Sequence, residues 1–470
     1  MLIRNAEIWG QGIGDVRCAE DRIAEIGSLE PQPDERVLDA RGGALLPGLH
    51  DHHIHLAGLA VRQSSVMCGP PDVTSADDLA RALASVPGDG WIRAIGYHES
   101  VLGGLPDAAT LDRFVQDRPL RMQHRSGRMW LFNSRALDEL LANAEPPEGM
   151  ERNGQRFTGR LFDADDWLRT TLHSSPPDLS GVSAELARRG VTGVTDMSPS
   201  NGEEMASHFA GQVESGHLLQ DIHVAGSLSL SGAPAGDWTL GPAKLHLHEA
   251  VFPPFDEAVS FIKAAHDSAR GVAIHCVTEV ELVFALAALE QAGPTQSDRI
   301  EHASIATEEL VERIAGISLS VCVQPHFVRE RGDNYLTDVE PRLQQDLYRL
   351  RTLADAGIAL AGGSDAPFGS ADPWQAMASA VDRTTATGQP ITPDEALSPE
   401  EAISLYLADP LDLTRTREIA IGARADLCLL DRPWAVVRKH LDSAQVAAAV
   451  SSGRIIHNRV DQAPLQGFRS

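Results

Sequence analysis

Cysteine is sparse and scattered in this chain: its five residues, Cys18, Cys68, Cys276, Cys322 and Cys428, are odd in number and form no C-x-x-C pair. That pattern argues against a disulfide framework and against a thiolate zinc knot, and it suits a reducing compartment. Long hydrophobic runs are missing too, since no apolar stretch approaches the roughly 20 residues needed to cross a bilayer. The opening Met1-Leu2-Ile3-Arg4-Asn5-Ala6-Glu7-Ile8 has no basic region followed by an apolar one. A secretory leader is therefore not expected, and the expected location is the cytoplasm. Positive charge is short: 40 Lys and Arg against 66 Asp and Glu leave a formal net charge of −26. Nucleic acid and anionic membrane surfaces are poor partners for such a chain. No internal repeat or low-complexity tract stands out. What remains is an ordinary globular composition, 43% hydrophobic and 23% charged over 470 residues, enough for one large domain and a smaller one.

Histidine is where the sequence becomes informative. Residues 45–56 read Leu-Leu-Pro-Gly-Leu-His-Asp-His-His-Ile-His-Leu. On extended backbone alternate side chains share a face, so His53 and His55 point the same way as Asp51, and His50 and His52 point the other way. Two neutral imidazoles can converge on zinc, iron or nickel, but they make only half a site. The other ligands must come from elsewhere in the chain.

The first 43 residues alternate short β-like runs with turns (Leu2–Ile8, Asp15–Cys18, Arg22–Ile26, Val37–Ala40), and the pattern returns in Ala425–Leu430 and Val446–His457. We read residues 1–43 and 415–470 as one small β-sandwich domain built from both chain ends. His440 and His457 fall there and read as structural. Between them, over 44–414, apolar strands alternate with helix-period segments, the signature of βαβ units. The candidate strands are Ala44–Leu49, Gly193–Asp196, Asp221–Ser227, Ala243–Leu247, Val272–Cys276, Arg299–His302, Ser318–Gln324 and Ile358–Ser364; Phe255–Ala269, Val280–Gln291, Thr307–Ala315 and Leu343–Ala356 are candidate helices. Eight such strands with right-handed crossovers predict an α/β fold, a (β/α)8 TIM barrel. An interval from about 57 to 185, with extra strands Trp91–Tyr97 and Leu120–His124, breaks the repeat and reads as an insertion after the first strand. Met122, Met129 and Trp130 within it read as packing.

On this barrel the polar strand ends fall in order: His53 and His55 after the first strand, Lys244 in the fourth, His275 and His302 ending the fifth and sixth, Asp365 after the eighth. Pro47-Gly48-Leu49 leading into Asp51-His52-His53-Ile54-His55, Ala273-Ile274-His275, Arg299-Ile300-Glu301-His302 and Gly363-Ser364-Asp365-Ala366-Pro367 resemble the amidohydrolase superfamily. Trp91–Glu99, Arg125-Ser126-Gly127, Asn133-Ser134-Arg135-Ala136-Leu137 and Gln324-Pro325-His326 resemble its family 3 branch, which includes N-substituted formamide deformylases. The similarity covers nearly the whole chain.

The resemblance implies a divalent metal site, with zinc expected, of one or two ions. His53, His55, Lys244, His275, His302 and Asp365 are the implied ligands; Lys244 is the implied carboxylated bridge, and Asp365, Lys244 and His302 are the catalytic candidates. The chain departs from the branch at His246-Leu247-His248-Glu249, where Asp-Gly usually follows the lysine, and at Arg128, where histidine is common. By alternation His246 shares a face with Lys244 and lies near the substrate. With His246, the residues His98, Arg125, Arg128 and His326, joined by Arg329, form a candidate basic lining for a carboxylate-bearing small molecule. Asp51 and Glu301 are candidate partners for the ring nitrogens left free. Metal-activated water with Asp365 as general base and acid suits hydrolysis of an amide, formamide or cyclic amide C–N bond. A lyase, an isomerase, a C–O or C–Cl hydrolase on the same barrel, and a noncatalytic metal-binding protein are the competing readings. A homodimer is expected by analogy alone.

Overall fold

The computed structural model describes residues 1–172 and 175–460; the last ten positions of the expected C-terminal β segment lie outside the described residues. Two compact units emerge, one of Met1–Leu56 with Asp178–Ser470 and one of Ala57–Pro177.

The first unit holds eight parallel strands: β1 (Leu49–Ile54), β2 (Val191–Asp196), β3 (Asp221–Gly226), β4 (Thr239–His246), β5 (Val272–Cys276), β6 (Arg299–His302), β7 (Ser320–Val323) and β8 (Leu360–Gly362), hydrogen-bonded in that order. Every residue of β1, β2, β6 and β7 is buried, as expected where helices cover a parallel sheet. The ring closes just past β8: the Asp365 N–H donates to the His53 carbonyl at 2.6 Å and the His55 N–H to the Ala366 carbonyl at 2.8 Å. Helices Phe255–Asp267, Glu279–Ala292 and Glu308–Gly316 follow β4, β5 and β6. The first buries Ala258, Val259, Ile262 and Ala265, one face of a 3.6-residue period. The second starts in a capping box of Thr278 and Glu281; Glu281 also accepts from the Val277 N–H at 2.7 Å, fixing how the chain leaves β5.

Two expected elements need correction. The run Ala44–Leu49 is divided: Ala44–Pro47 belongs to the sheet built from the chain ends, parallel to Leu2–Ile8 and antiparallel to Leu427–Leu430, and the barrel strand begins only at Leu49. Both pieces are buried, so apolarity could not separate them. The crossing is tight, because a Cβ on Gly48 would stand 2.2 Å from Thr192 Oγ1. The helix expected over Leu343–Ala356 is instead a short 3-10 turn at Gln344–Asp346 and a helix at Leu350–Asp355. Between them Tyr348 takes φ +49° and its N–H bonds the Ser304 carbonyl, which a continuous helix forbids.

The end-built sheet has eight strands: Leu2–Ile8, Gly12–Ala19, Arg22–Gly27, Val37–Asp39, Ala44–Pro47, Leu427–Leu430, Val446–Ser451 and Arg454–Asn458. The edge strand Arg22–Gly27 is tied to the segment leading into Leu427–Leu430 where the Ile23 N–H bonds the Ala423 carbonyl, and the core of this part includes Ile3, Val16, Leu45, Leu427, Leu429 and Val450. The inserted unit is built on a six-stranded sheet in the order Met150–Asn153, Arg156–Phe162, Met129–Phe132, Leu120–His124, Ile92–Tyr97, Val66–Met67. Met122 and Met129 lie in one of its apolar clusters and Trp130 in the other.

Acid stability has one readable component. In the helix Pro399–Ser404, Glu401 pairs with Arg351 and completes a capping box with Ser398. Its hydrogen bonds with Arg351 hold its carboxyl down at about 2, against the desolvation of partial burial and with help from Ser398. A depressed folded pKa stabilises above the unfolded value of about 4.5, and that contribution is lost as pH falls toward 2. In Glu401→Gln the decline of Tm between pH 4.5 and 2 is expected to be shallower than in the parent, measured by thermal melts across that range.

Candidate metal centre

β1 delivers the first groups. His53 Nδ1 lies 2.6 Å from Glu301 Oε2 on β6, and His55 Nδ1 lies 3.0 Å from Ser198 Oγ. The Glu301 carboxylate can only accept, so it fixes the proton on His53 Nδ1 and leaves the Nε2 lone pair for another partner, while the Ser198 hydroxyl orients the His55 ring. Both Nε2 atoms turn to one oxygen: Asp365 Oδ1 is 3.3 Å from His53 Nε2 and 3.1 Å from His55 Nε2. A carboxylate between two ring nitrogens already bonded on their far sides is an arrangement that could ligate a cation. These three residues form a group whose ligand atoms all lie within 4.8 Å of one another.

His302 repeats the arrangement on β6. Its Nδ1 lies 2.8 Å from Gln324 Oε1, an acceptor that fixes Nδ1–H, and its Nε2 is buried without a hydrogen-bond partner. The His302 ring centre lies 4.9 Å from that of His53 and 4.5 Å from that of His275 on β5. His246, exposed at the end of β4, lies 4.4 Å from His275, centre to centre. Lys244 Nζ is also buried and unpartnered. Of the three lysines in the chain, Lys244, Lys263 and Lys439, only Lys244 is buried. A buried polar atom without a partner costs about 1–3 kcal/mol. Two such atoms beside the His53–His55–Asp365 cluster give a donor set that fits a divalent metal.

Electrostatics keep the set ready to bind. Burial, together with the Lys244 charge, pushes His275 down to about 3, and burial drives His53 and His302 well below the usual imidazole range. All three rings are neutral donors at pH 7. Burial also lowers Lys244 toward the neutral amine. Burial alone would raise Glu301, but the charges of Arg299 and Lys244 hold it below the usual carboxylate range; Arg299 Nε donates to it at 2.6 Å. A second cluster, His53 with Glu301 and Cys322, also has close ligand atoms. It is the weaker candidate, because Glu301 is already committed to Arg299 and His53, and burial pushes the Cys322 thiol far above its ordinary value.

Backbone strain falls on the same residues. His302 has φ +74° and Asp365 φ +50°, a region costing about 1–3 kcal/mol for ordinary side chains. The Gln324 bond holds one and the His53 carbonyl holds the other. Gly363, between β8 and Asp365, leaves no room for a side chain: a Cβ there would stand 2.4 Å from His53 Cβ. Gly363→Ala is expected to cost about 1–3 kcal/mol through overpacking, and to lower metal content as well as Tm because the strand pushed is β1.

Residues 36–457 match the model of the amidohydrolase family. This chain belongs to that family. N-substituted formamide deformylase of Arthrobacter pascens is 28% identical to it over 466 residues, spanning 85% of each chain. An uncharacterized metal-dependent hydrolase from Pyrococcus horikoshii OT3 superposes with a TM-score of 0.76 at 19% identity, covering 97% of this chain and 99% of its own. Another from Pyrococcus furiosus gives 0.74 at 22% identity, covering 94% and 99%.

In this amidohydrolase-family chain several lining candidates take other roles. His326 is 1% exposed, and its Nε2–H donates to the Ser364 carbonyl at 2.9 Å; it braces the segment carrying Asp365 instead of facing a ligand. Within the inserted unit Arg128 is spent on Asp163 at 2.7 Å. His98 Nδ1 accepts from the Ser100 N–H and caps its own loop. Arg125 and Arg329 are exposed. Asp51 accepts from the backbone N–H groups of His53 and Ser364 and, among the described residues, hydrogen-bonds no imidazole nitrogen. Glu301 does take the partner role expected of it. Ser198 and Gln324 orient His55 and His302; Gln324 belongs to the motif Gln324-Pro325-His326, whereas nothing local in the sequence marks Ser198.

Proposed function

We propose that this chain is a metal-dependent hydrolase of a small molecule, with zinc the expected ion, cleaving an amide or formamide C–N bond. The observation that carries it is the meeting of His53 Nε2, His55 Nε2 and Asp365 Oδ1 beside the unpartnered His302 Nε2 and Lys244 Nζ. His53, His55, His275, His302 and Asp365 would hold one ion, and Lys244, if carboxylated, a second. A divalent cation supplies Lewis acidity toward a carbonyl oxygen and acidifies water to a pKa of about 7. The chain supplies the rest. Asp365, 11% exposed at its side chain, faces both imidazoles and can hold a proton on its carboxylate and return it to a leaving nitrogen. Glu301 and Gln324 keep the His53 and His302 rings in one tautomer, and Ser198 orients the His55 ring. His246, exposed next to His275, is placed to touch substrate. The relationship to a formamide deformylase supports the bond class.

Metal analysis of purified protein, followed by assay against N-substituted formamides, simple amides and cyclic amides in ¹⁸O water, tests the reading. Stoichiometric zinc with amine release and labelled acid is expected. Absence of transition metal together with inactivity after metal addition would sink it, and an unlabelled product would move the chain to the lyases or isomerases.

A further inference from the structure

The inserted unit contains a pair of arginines without an ion-pair partner among the described residues. Arg93 on the strand Ile92–Tyr97 and Arg121 on the strand Leu120–His124 are register partners on adjacent parallel strands. Such neighbours are about 4.8 Å apart and project from the same face. Both guanidiniums lie against Trp130, with Cζ 5.5 and 5.8 Å from its ring centre. Both side chains are partly buried, and both Nε atoms are fully buried without a hydrogen-bond partner. Neither arginine makes an ion pair with any described residue. Asp165 takes its hydrogen bond from Trp130 Nε1 at 2.8 Å, and its attraction reaches Arg93 only through space.

The contrast within the same unit is sharp. Arg118 donates to three carbonyls, Arg128 pairs with Asp163 and Arg160 with Glu151. A chain with 66 acidic residues had ample means to place a carboxylate here. Two desolvated like charges side by side are unfavourable, and burial with the charge of Arg93 pushes Arg121 down to about 10. An aromatic ring against the guanidinium faces offsets part of that cost and leaves their N–H edges free for bidentate contacts.

We propose that Arg93 and Arg121, cushioned by Trp130, form a binding site for a doubly charged oxyanion, a phosphate group or a dicarboxylate. The two forks match two oxygen pairs, and the bound charge supplies the counter-ion that the fold omits. The site stands independently of the hydrolase reading, since it uses no residue of the metal centre.

Titration of the metal-loaded full-length protein with sodium phosphate, and separately with sodium succinate, at ionic strength fixed with NaCl, tests it by calorimetry and by Tm. The parent is expected to show saturable binding and a rise in Tm with at least one anion; which one responds separates phosphate from dicarboxylate. In Arg93→Gln and Arg121→Gln the dissociation constant rises at least tenfold, while Arg113→Gln, an exposed arginine of the same unit, matches the parent. Anion binding at the metal centre is common to all four proteins and cancels. Without anion, the two Gln variants melt at or above the parent's temperature, because a repulsion is removed. No saturable response in the parent, an equal response in the Gln variants, or a large fall in their anion-free Tm each overturns the proposal.

Discussion

Asp365→Asn is expected to lower kcat, compared at equal metal loading, by about 10²- to 10⁴-fold, the usual contribution of a positioned acid–base group, while Tm stays close to the parent's. Asparagine keeps the size and one oxygen of the side chain, so the position between His53 Nε2 and His55 Nε2 at 3.3 and 3.1 Å remains filled. Its backbone is unchanged as well, with φ +50° held by the N–H bond to His53. What it loses is the ability to carry a proton. Steady-state kinetics with metal analysis on the same preparation decide the matter. Activity within a few-fold of the parent at equal metal content would remove Asp365 from proton transfer and favour a binding protein or a different chemistry.

The second large effect belongs to Glu301→Gln, and it reads out in stability and metal affinity. Glu301 is fully buried and divides its oxygens between Arg299 Nε and His53 Nδ1, each at 2.6 Å. The amide cannot accept on both sides, and Arg299, 4% exposed, is left without its opposite charge. Breaking a buried ion pair from one side costs about 3–5 kcal/mol. Loss of the group that orients a ligating imidazole lowers metal affinity about 10- to 100-fold. Denaturant unfolding of the metal-free proteins isolates the first quantity, and competition with a chelator gives the second. Equal unfolding midpoints for parent and variant would show that Arg299 finds another partner and that this carboxylate is not the hub of the site.

The gathering of the candidate site was legible because its polar side chains sit at strand ends. His53, His55, Lys244, His275, His302 and Asp365 each occupy the place where a barrel strand delivers its last side chains, and eight apolar runs were enough to order them. The boundary between Pro47 and Leu49 was not legible, since burial on both sides gives the same apolar signal whichever sheet a segment joins. Partner choice was equally hidden. That Ser198 holds His55 and Gln324 holds His302 depends on separations across the barrel, which no local pattern encodes. Arg128 and His326 carry the right charge or ring for a lining, yet Asp163 and the Ser364 carbonyl claim them. The Arg93–Arg121 pair escaped notice for a related reason: its meaning lies in the register of two strands 28 positions apart.

The partnership of Ala44–Pro47 with Leu427–Leu430, in which Leu46 faces Cys428, sets an order of events during synthesis. Chains emerge from the ribosome amino end first, and pairing across so long a separation waits for the far segment. The histidine-bearing strand that continues from Pro47 thus spends most of translation without one neighbour of its lead-in segment. Ribosome-stalled nascent chains ending before residue 427 should remain protease-sensitive around residues 44–47, and release of the complete polypeptide should abolish that sensitivity.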